Sequence, residues 1–302
     1  MQRLDVVGLG ESSIDYVYIV PHLPGAGVPK LPIHSHFSAC GGQVATTMAA
    51  CAALGLKAAY LGPVGSDANG ARVREELESR GVDVSRLLVR TADTRYAVIL
   101  VEEASGDRQV LWQRDERLRL SEDDVREDLF GGARVLHVDA VDEDAAIRAA
   151  TLARTLGMVV TSDIDTVTTR TPELLAAVTV AIVAEQVPGQ LTGEQDIERA
   201  LRAMRTRHDG LLCVTLGERG SAALDGNEFH REPAVQVEAV DTTGAGDIFR
   251  AGMIYGLLQN WPIRRILQFA NAAAAVSCTR PGAMASVPSL DEIAANVKWL
   301  RS

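Results

Sequence analysis

The sequence predicts an α/β protein in which helices cover both faces of a mostly parallel, doubly wound β-sheet. Short β-branched runs alternate with longer helical patterns along most of the 302 residues. Two extended segments, about residues 12–39 and 94–114, interrupt this alternation and predict a small β-lid outside the main sheet. Hydrophobic residues make up 47% of the chain, enough for a large core. With neither an internal repeat nor a linker in view, residues 1–302 are expected to form a single domain.

The first half of the chain contains the elements of one strand–helix–strand unit and a following helix. LDVVGLG (4–10) is typical of a buried strand, and GQVATTMAACAALG (42–55) of a small-residue helix that ends at Gly55. KAAYLGPVG (57–65) is expected to be the next strand. ANGARVREELESRG (68–81) has the spacing of an amphipathic helix, and its last glycine suits a C-cap.

The second half repeats this theme twice. RVLHV (134–138), DEDAAIRAATLARTLG (142–157) and MVVTSDI (158–164) predict a strand, a helix and a strand. The next unit has the same order and consists of VTVAIVA (178–184), DIERALRAMRTR (196–207) and LLCVTLG (211–217). Because strands joined by crossover helices run in the same direction, this order predicts a parallel sheet.

The lid is predicted from extended patterns that have no helix between them. SSIDYVYIV (12–20) and IHSHFSA (33–39) are one such pair, while TRYAVILVEE (94–103) and RQVLWQR (108–114) flank the turn A-S-G-D. Because unpaired strand edges seek partners, such a lid also predicts a homodimer formed through it.

Composition excludes several broad classes of function. The net charge of −10 and the sequence pI near 5.1 argue against general binding to nucleic acid or to an anionic membrane. No apolar run approaches the ~18 residues of a membrane span, and the N-terminus does not resemble a signal peptide. The four cysteines form no Cys-x-x-Cys pair and are expected to be core residues in a reducing compartment. A cytoplasmic protein is therefore predicted.

Several familiar motifs fail on inspection. Gly8-Leu-Gly10 follows a strand, but Ser13 replaces the third glycine of a dinucleotide fingerprint, and an extended run follows instead of a helix. The chain has no Gly-Lys-Ser/Thr sequence and no protein-kinase signature. His34 and His36 lack the acidic or cysteine neighbours of a metal site, so a role on the lid surface is expected.

The strongest local signal is D-T-T-G-A-G-D at residues 241–247, directly before an apolar helical pattern. Small residues at 244–246 let successive backbone N–H groups converge at a helix N-terminus, which suits a phosphate or a developing negative charge. Asp247 falls in the first turn of that helix. It could simply interact favourably with the helix dipole, for about 0.3–1 kcal/mol. Because an acid also repels the anion that such a loop attracts, a base for an attacking hydroxyl is the favoured interpretation.

Motifs along nearly the whole chain resemble those of the ribokinase-like (PfkB) carbohydrate kinases. D241-T-T-G-A-G-D247-I-F-R-A-G252 is similar to their C-terminal signature, and G41-G42-Q-V-A-T-T-M-A-A-C-A-A-L-G55 to their N-terminal Gly-Gly signature. Further similar stretches are L61-G-P-V-G-S-D67 with Gly70, R80-G-V-D83, V214-T-L-G-E-R-G220 and F269-A-N-A-A-A-A-V-S-C-T-R-P-G282. The resemblance implies a three-layer α/β/α domain with a β-lid, ATP as phosphoryl donor and a hydroxyl of a sugar as acceptor.

The resemblance also implies roles for individual residues. Asp247 is the expected catalytic base, with the anion hole formed by Gly244, Ala245 and Gly246. Asp15 is expected to bind acceptor hydroxyls. Gly41 and Gly42 are implied to contact the acceptor. The nucleotide is implied to lie beside Thr215, Gly217, Gly220 and Asn271, with Asn271 near the adenine.

A monovalent-cation loop, for which K⁺ is the expected ion, is implied beside the anion hole. The positions that correspond to this loop are Asp241, Thr243, Ser277, Arg280, Gly282 and Ser286. For Arg280, a purely structural role is the alternative.

Two departures from the family pattern are visible. Thr46 stands where the Gly-Gly signature carries asparagine; a hydroxyl lacks the two-ended amide, so sugar recognition should differ. The Asn-x-x-Glu motif, which helps to organise Mg²⁺ waters in the family, is replaced by Ala184 and Val187, and Glu185 is the nearby substitute. The sulfofructose kinase branch of the family shows a similar loss of this motif. The stretches P188-G189-Q-L-T-G193 and C278-T-R-P-G282 also resemble that branch.

Three questions stay open at the level of sequence. The favoured hypothesis is an enzyme that phosphorylates a small sugar or sugar derivative. The first alternative is a nucleoside kinase. A non-catalytic sugar or nucleotide sensor without Mg²⁺ handling is the second. Basic residues on or next to the lid could contact a phosphate or sulfonate on the acceptor, or form a solvated lid face; they are Lys30, Arg95, Arg108 and Arg114.

Overall fold

The computed structural model describes residues 3–25, 27 and 30–300. Residues 26, 28 and 29 of the predicted lid, and residues 1, 2, 301 and 302 of the predicted domain, lie outside the described part. Its strands are β1 (Val6–Leu9), β2 (Ser13–Val20), β3 (Ser35–Gly41), β4 (Ala58–Leu61), β5 (Pro63–Gly65), β6 (Leu88–Arg90), β7 (Tyr96–Glu102), β8 (Arg108–Gln113), β9 (Val135–Asp139), β10 (Val159–Asp163), β11 (Val180–Ala184), β12 (Leu211–Thr215), β13 (Ser221–Asp225) and β14 (Glu228–Glu232).

The helices follow the predicted alternation. They are α1 (Gln43–Ala53), α2 (Ala68–Ser79), α3 (Glu143–Thr155), α4 (Thr171–Ala177), α5 (Gln186–Thr192), α6 (Ile197–Met204), α7 (Ala245–Leu258), α8 (Ile263–Ser277) and α9 (Leu290–Ala294). Short 3₁₀ turns lie at Glu116–Leu118, Glu122–Asp124, Glu127–Phe130, Gly217–Arg219, Met284–Ser286 and Lys298–Leu300.

The main sheet has eight strands in the order β4-β1-β9-β10-β11-β12-β13-β14. Pairs from β4 to β12 are parallel, whereas β13 and β14 are antiparallel. Val7 and Leu9 of β1 pack in the core that contains α3, while Val6 faces the core that contains α1 and α7. Helices therefore cover both faces, and the predicted mostly parallel, doubly wound sheet is confirmed.

Strand β1 is the point at which the strand order reverses. It pairs with β4 on one side and with β9 on the other. In open parallel sheets, ligands bind beyond the carboxyl ends of the strands at such a switch point. Gly10, Asp139 and Asp163 stand at the carboxyl ends of β1, β9 and β10, so this edge is the first place to look for a site.

Strands β3-β2-β7-β8 form a separate four-stranded sheet, called here the small sheet. Strands β2 and β3 are antiparallel, β2 and β7 are parallel, and β7 and β8 form a hairpin around residues 103–107. The two predicted extended segments therefore pair with each other. Strand β8 is one edge of this sheet, and most of its side chains are exposed.

Several local predictions differ from the structure. The segment 57–65 is two strands rather than one, because the chain bends at Gly62, where a Cβ would lie 2.3 Å from the Gly10 carbonyl oxygen. Strand β5 after the bend pairs with β6 in a separate two-stranded sheet. The antiparallel hairpin of β13 and β14 lies in residues 221–232, for which the sequence pattern predicts no strand.

Among the described residues, no helix is both long enough and apolar enough to span a bilayer.

Helices α7 and α8 approach closely at Gly252. A Cβ there would lie 2.8 Å from the Ala270 Cα, a backbone atom that cannot move aside. We expect Gly252→Val to lower the free energy of unfolding by about 1–3 kcal/mol, the usual effect of overpacking, as measured by urea denaturation.

The matched control is Gly25→Val, since within the described ranges no atom beyond the chain neighbours of Gly25 lies within 4 Å of a Cβ at this position. That variant should stay within roughly 0.5 kcal/mol of the parent. Equal stability of the two variants would contradict the packing at Gly252.

Candidate active site

Loop 241–246 and the start of α7 are held by the Asp241 carboxylate. Asp241 Oδ1 accepts hydrogen bonds from the Thr243 N–H (2.9 Å) and hydroxyl (2.7 Å), and Oδ2 accepts one from Gly282 N–H (2.8 Å). Burial alone raises the pKa of Asp241, but these donors outweigh it and the pKa lies below its usual range. Gly244 has φ of 78° and a Cβ on it would lie 2.8 Å from Ala283 Cα, so only glycine fits.

Asp247 lies in the first turn of α7, as predicted. Its pKa is raised well above the usual range, chiefly by burial and next by the neighbouring Asp163 carboxylate. Asp15 and Asp165 act in the same direction, while the Arg250 guanidinium opposes them. Asp247 is thus an acid whose environment moves its pKa towards neutrality, as a general base requires.

Asp15 reaches the site from the small sheet. Its Oδ1 accepts a hydrogen bond from the Ser13 hydroxyl (3.0 Å), and burial raises its pKa. A Cβ on Gly41 would lie 2.5 Å from Asp15 Oδ2. One reason for glycine at this position is therefore the approach of the carboxylate, in addition to the predicted approach of an acceptor.

The structure gives packing and burial for Gly42 and Thr46 that do not depend on an acceptor. Gly42 has φ of 95° and packs against the Ser12 backbone, since a Cβ on it would lie 2.4 Å from Ser12 Cα. Thr46 is fully buried, and its hydroxyl has no hydrogen-bond partner within the described residues. Contact of Gly42 and Thr46 with an acceptor stays a prediction.

A cavity of about 330 Å³ lies on the other side of loop 241–246. The four residues predicted to border a nucleotide all line it, together with three residues of the anion loop region: Thr215, Gly217, Gly220 and Asn271, and Thr242, Ala245 and Gly246. The cavity thus runs from the four predicted nucleotide residues to the start of α7.

One wall of this cavity was not recognised in the sequence. Residues 234–237, directly after β14, line it together with Phe249 and Cys278. The Asn271 side-chain amide holds this wall, because it donates to the carbonyl oxygens of Glu232 and Pro233 (3.2 Å each). The available signal was the apolar alternation of A-V-Q-V just before loop 241–246.

The remaining positions of the predicted cation loop differ in their contacts. The Ser277 and Ser286 hydroxyls each donate to a carbonyl oxygen three residues earlier, at 2.8 and 3.0 Å. Arg280 Nη1 lies 3.0 Å from Glu292 Oε1, which agrees with its structural alternative. A K⁺ site stays a prediction, and Asp241, Thr243 and Gly282 are the members that hydrogen bonds bring together.

The two positions of the missing Asn-x-x-Glu motif offer no side-chain ligand for Mg²⁺. Val187 is completely buried, and Ala184 has no donor atom in its side chain. Glu185, the predicted substitute, is half-exposed and forms an ion pair with Arg219. Within the described ranges, no group of three or more His, Cys, Asp or Glu side chains could hold a metal ion.

Arg108 connects the small sheet to loop 241–246. Its guanidinium donates to the hydroxyls of Thr242 (2.5 Å) and Thr243 (2.8 Å) and lies 3.8 Å from Asp241 Oδ1. The side chain is thus directed at the candidate site but is 40% exposed, so both alternatives predicted for Arg108 stay open.

Arg95 and Arg114 are also paired across to acids. Arg95 forms an ion pair with Glu11 and lies over the Trp112 ring, 5.8 Å from its centroid. Arg114 pairs with Asp142. Both guanidinium groups are thus held by ion pairs within the molecule, whereas Lys30 is exposed.

Two buried acids at the switch point were missed. Asp139 and Asp163 end neighbouring strands in register, and both are 1% exposed. Burial raises the pKa of Asp139 to about 8, against the opposing hydrogen bond from Val141 N–H, and that of Asp163 to about 6, against Arg250. The signal in the sequence was one aspartate at the end of each predicted strand.

Comparison with known proteins agrees with this geometry. A family model described as pfkB family carbohydrate kinase matches residues 3–290. An ATP-dependent ribose-1-phosphate kinase of Halopiger xanaduensis is 30% identical over 313 residues, covering 96% of this chain and 97% of that protein. A ribokinase of Haemophilus influenzae is 26% identical over 301 residues, covering 96% and 97%.

The fold matches a solved structure of Arabidopsis thaliana ribokinase complexed with ribose and ATP. The TM-score is 0.84 at 23% identity, with 100% of both chains covered. At this identity the likeness bears on the fold alone, and it confirms the ribokinase-like architecture. The closer resemblance to the sulfofructose branch is not tested by these matches and stays a prediction.

The raised pKa of the buried Asp139 carboxyl group predicts how the stability of the fold depends on pH. Because its folded pKa lies above the unfolded value near 3.8, the folded state binds the proton more tightly. Its contribution is complete below about pH 4 and is lost as pH rises towards about 8, by up to ~1.4 kcal/mol per pH unit. We expect the free energy of unfolding to fall more steeply between pH 6 and pH 8 in the parent than in Asp139→Asn.

Urea denaturation at pH 6, 7 and 8 measures this slope. Asp128→Asn is the matched control, because Asp128 is exposed and its pKa is lowered, so it does not titrate in this window. Parallel slopes for the parent and Asp139→Asn would contradict the raised pKa.

Proposed function

The chain belongs to the pfkB family of carbohydrate kinases, and on this premise we propose that it transfers the γ-phosphoryl group of ATP to a hydroxyl of a small sugar or sugar derivative. Asp247 is the proposed base, and the reacting hydroxyl is expected to be a primary one. We propose that the chain works as one domain, with residues 12–39 and 94–114 acting as the lid.

The observation that carries this proposal is the position of Asp247 between two halves of the site. Ala245 and Gly246, immediately before it, line the 330 Å³ cavity. Asp15 of the small sheet approaches it from the other side, closely enough to influence its pKa. A donor in the cavity and an acceptor held by Asp15 would therefore meet at the first turn of α7.

We propose that the nucleotide base and ribose occupy the cavity and that the phosphates extend to loop 241–246. The apolar wall of residues 234–237 suits a flat aromatic base, and Thr215, Gly217, Gly220 and Asn271 border it. Backbone N–H groups at 244–246, together with the N-terminal end of the α7 dipole, stabilise negative charge on the phosphoryl group.

The proposed reaction is an in-line displacement. Asp247 accepts the proton of the acceptor hydroxyl as its oxygen forms a bond to the γ-phosphorus, and the bond from that phosphorus to the bridging oxygen of ADP breaks. Asp15 orients the acceptor by hydrogen bonds to neighbouring hydroxyls. Mg²⁺ and K⁺ stay predictions from the sequence.

The small sheet is proposed to exclude water during this step. Arg108 ties it to Thr242 and Thr243, so the sheet and the anion loop are in contact in this conformation. Exclusion of water strengthens the electrostatic interactions in the site.

We favour an acceptor without a charged group. Arg95 and Arg114 are paired with acids, and Asp15, Asp163 and Asp165 surround Asp247. An additional phosphate or sulfonate would have to displace one of these ion pairs. By its name, the relative from Halopiger xanaduensis acts on ribose 1-phosphate, which makes charged acceptors the natural comparison.

A nucleoside kinase is the second candidate, favoured by one observation. Trp112 is 65% exposed, and in the register Trp112 is opposite Ala97, which is opposite Asp15, so the three share a face of the small sheet. An aromatic side chain there could stack on a nucleobase. A cytoplasmic location is proposed from the family and the composition.

The reaction is tested by ADP release with Mg²⁺-ATP and a panel of acceptors. The panel consists of ribose, fructose and other neutral sugars, ribose 1-phosphate, a ketose phosphate, a sulfonated ketose, and nucleosides. We expect a neutral sugar to give the highest kcat/KM. If no acceptor gives ADP release above background, the kinase proposal is rejected, which is the result expected of a non-catalytic sensor. A preference for nucleosides favours the second candidate.

Asp247→Asn should lower kcat about 10²–10⁴-fold, the usual contribution of a general base. Asp128→Asn, an equal change at an exposed position, should keep the parent rate. Full activity of Asp247→Asn would exclude the assigned base, whatever the acceptor.

A homodimer through the edge strand β8 is proposed from its exposed apolar side chains. Val110 is 50% exposed, Leu111 52% and Trp112 65%. Unpaired edge strands with apolar side chains pair with other chains. We expect light scattering to give twice the chain mass for the parent and the monomer mass for Val110→Lys.

Val89→Lys is the matched control, because Val89 is 53% exposed but lies on the separate β5–β6 sheet. It should stay dimeric. A monomeric parent at tens of micromolar would reject the dimer.

A further inference from the structure

An almost fully buried ion pair lies beneath loop 241–246. Arg250 Nη2 is 2.5 Å from Asp163 Oδ1, and the side chains are 4% and 1% exposed. Removing two charges from water is costly, and a well-packed apolar pair of similar volume is often at least as stable. Stability alone is therefore a poor explanation for this pair, and its position suggests another.

Arg250 packs directly against the turn that carries the proposed base. It follows Gly246 by four residues and Asp247 by three on α7, so all three lie on the same side of the helix. A Cβ on Gly246 would lie 2.7 Å from Arg250 Nη1. The guanidinium thus occupies the space beneath Gly246 and fixes the height of the first turn.

Asp163 lies close enough to the proposed base to influence its charge. It stands at the carboxyl end of β10, where pairing with β9 on one side fixes its backbone. Beyond the ion pair with Arg250, its carboxyl oxygens have no hydrogen-bond partner among the described residues. Its negative charge is, after burial, the largest cause of the raised pKa of Asp247. One ion pair therefore lies under the anion loop, at Gly246, and close to the base.

The charges around Asp247 come from three directions. Asp163 and Asp165 approach from the end of β10, Asp15 from β2, and Arg250 from α7 itself. Helix α1 contributes an uncharged contact, because the Thr47 hydroxyl donates to the Asp247 carbonyl oxygen (3.2 Å). Arg250 is the cation that opposes the three acids.

We propose that Arg250 and Asp163 are positioning residues for the phosphoryl transfer. Arg250 supports the Gly246–Asp247 turn from below, and Asp163, held by Arg250, acts on the Asp247 carboxyl group through its negative charge. Neither residue touches the reacting atoms; both act through Asp247. This inference rests on the proposed function, in which Asp247 is the base.

Three variants separate this role from a merely structural one. Asp163→Asn removes the acid but keeps a hydrogen-bonding side chain. Asp163→Asn combined with Arg250→Met removes both charges and leaves no unpaired charge buried, which favours folding. Arg250→Lys keeps the positive charge, and circular dichroism checks the fold of each protein.

The first readout is the acid limb of kcat/KM against pH. Asp163→Asn removes a negative neighbour, so Asp247 loses its proton more easily and the limb should move to lower pH by roughly one unit. The double variant also lacks the positive neighbour, so its limb should lie at higher pH than that of Asp163→Asn. Arg250→Lys should keep the parent limb.

The second readout does not need activity. Carbon-13 NMR of aspartate-labelled, ligand-free protein follows the Asp247 carboxyl group, which is assigned by comparison with Asp247→Asn. The pKa of Asp247 should follow the same order: lowest in Asp163→Asn, higher in the double variant, and unchanged in Arg250→Lys.

The two readouts distinguish the possible failures. An inactive parent rejects the proposed function, while the NMR titration still decides whether the pair acts on Asp247. Equal pKa values of Asp247 in the parent, Asp163→Asn and the double variant overturn the inference. A loss of stability or of kcat without these opposite shifts indicates a structural role only, and also overturns it.

Discussion

The first turn of helix α7 holds the Asp247 carboxyl group beside the backbone N–H groups that are proposed to bind an anion. The helix dipole favours a negative charge on Asp247 and also favours a bound anion, but these two negative charges repel each other. Burial in addition disfavours the charged form of Asp247. Acids at the ends of neighbouring strands add to this repulsion, and Arg250 reduces it. The balance leaves Asp247 with a raised pKa, which suits a group that must take a proton and later release it. Much of the site can be understood as support for this one turn.

Close approach of backbone segments provides much of that support. Gly10 leaves room for the Asp139 carboxylate, since a Cβ there would lie 2.2 Å from Oδ2, and Gly41 does the same for Asp15. Gly244 lets loop 241–246 contact the segment after α8. Gly10 follows β1, Gly41 ends β3 and Gly244 precedes α7, and these close approaches let the acids of separate strands meet in a small volume. The site is therefore set by the main-chain path as much as by side chains.

The small sheet is joined to this volume by charge. Arg108 bonds to the hydroxyls of the anion loop, and Arg95 and Arg114 pair with acids of the main body. These contacts thus connect the small sheet to loop 241–246 and to the main body. Because Arg95 and Arg114 are paired with acids, a movement of the small sheet would break these ion pairs.

The sequence by itself determined the alternation of strands and helices, the two extended segments of the small sheet and the loop 241–247. These are properties of neighbouring residues: hydrophobic period, glycine spacing and an acid in the first helical turn. Resemblance added Asp15 and the residues that border the cavity, including Asn271, which the structure does bring together. The tertiary structure alone decided that Asp139 and Asp163 stand side by side and that Arg250 pairs with Asp163. It also decided which arginines are paired. Such contacts join residues far apart in the chain, and the strand order and the packing of α7 on the sheet, rather than any local pattern, bring them within a few ångströms.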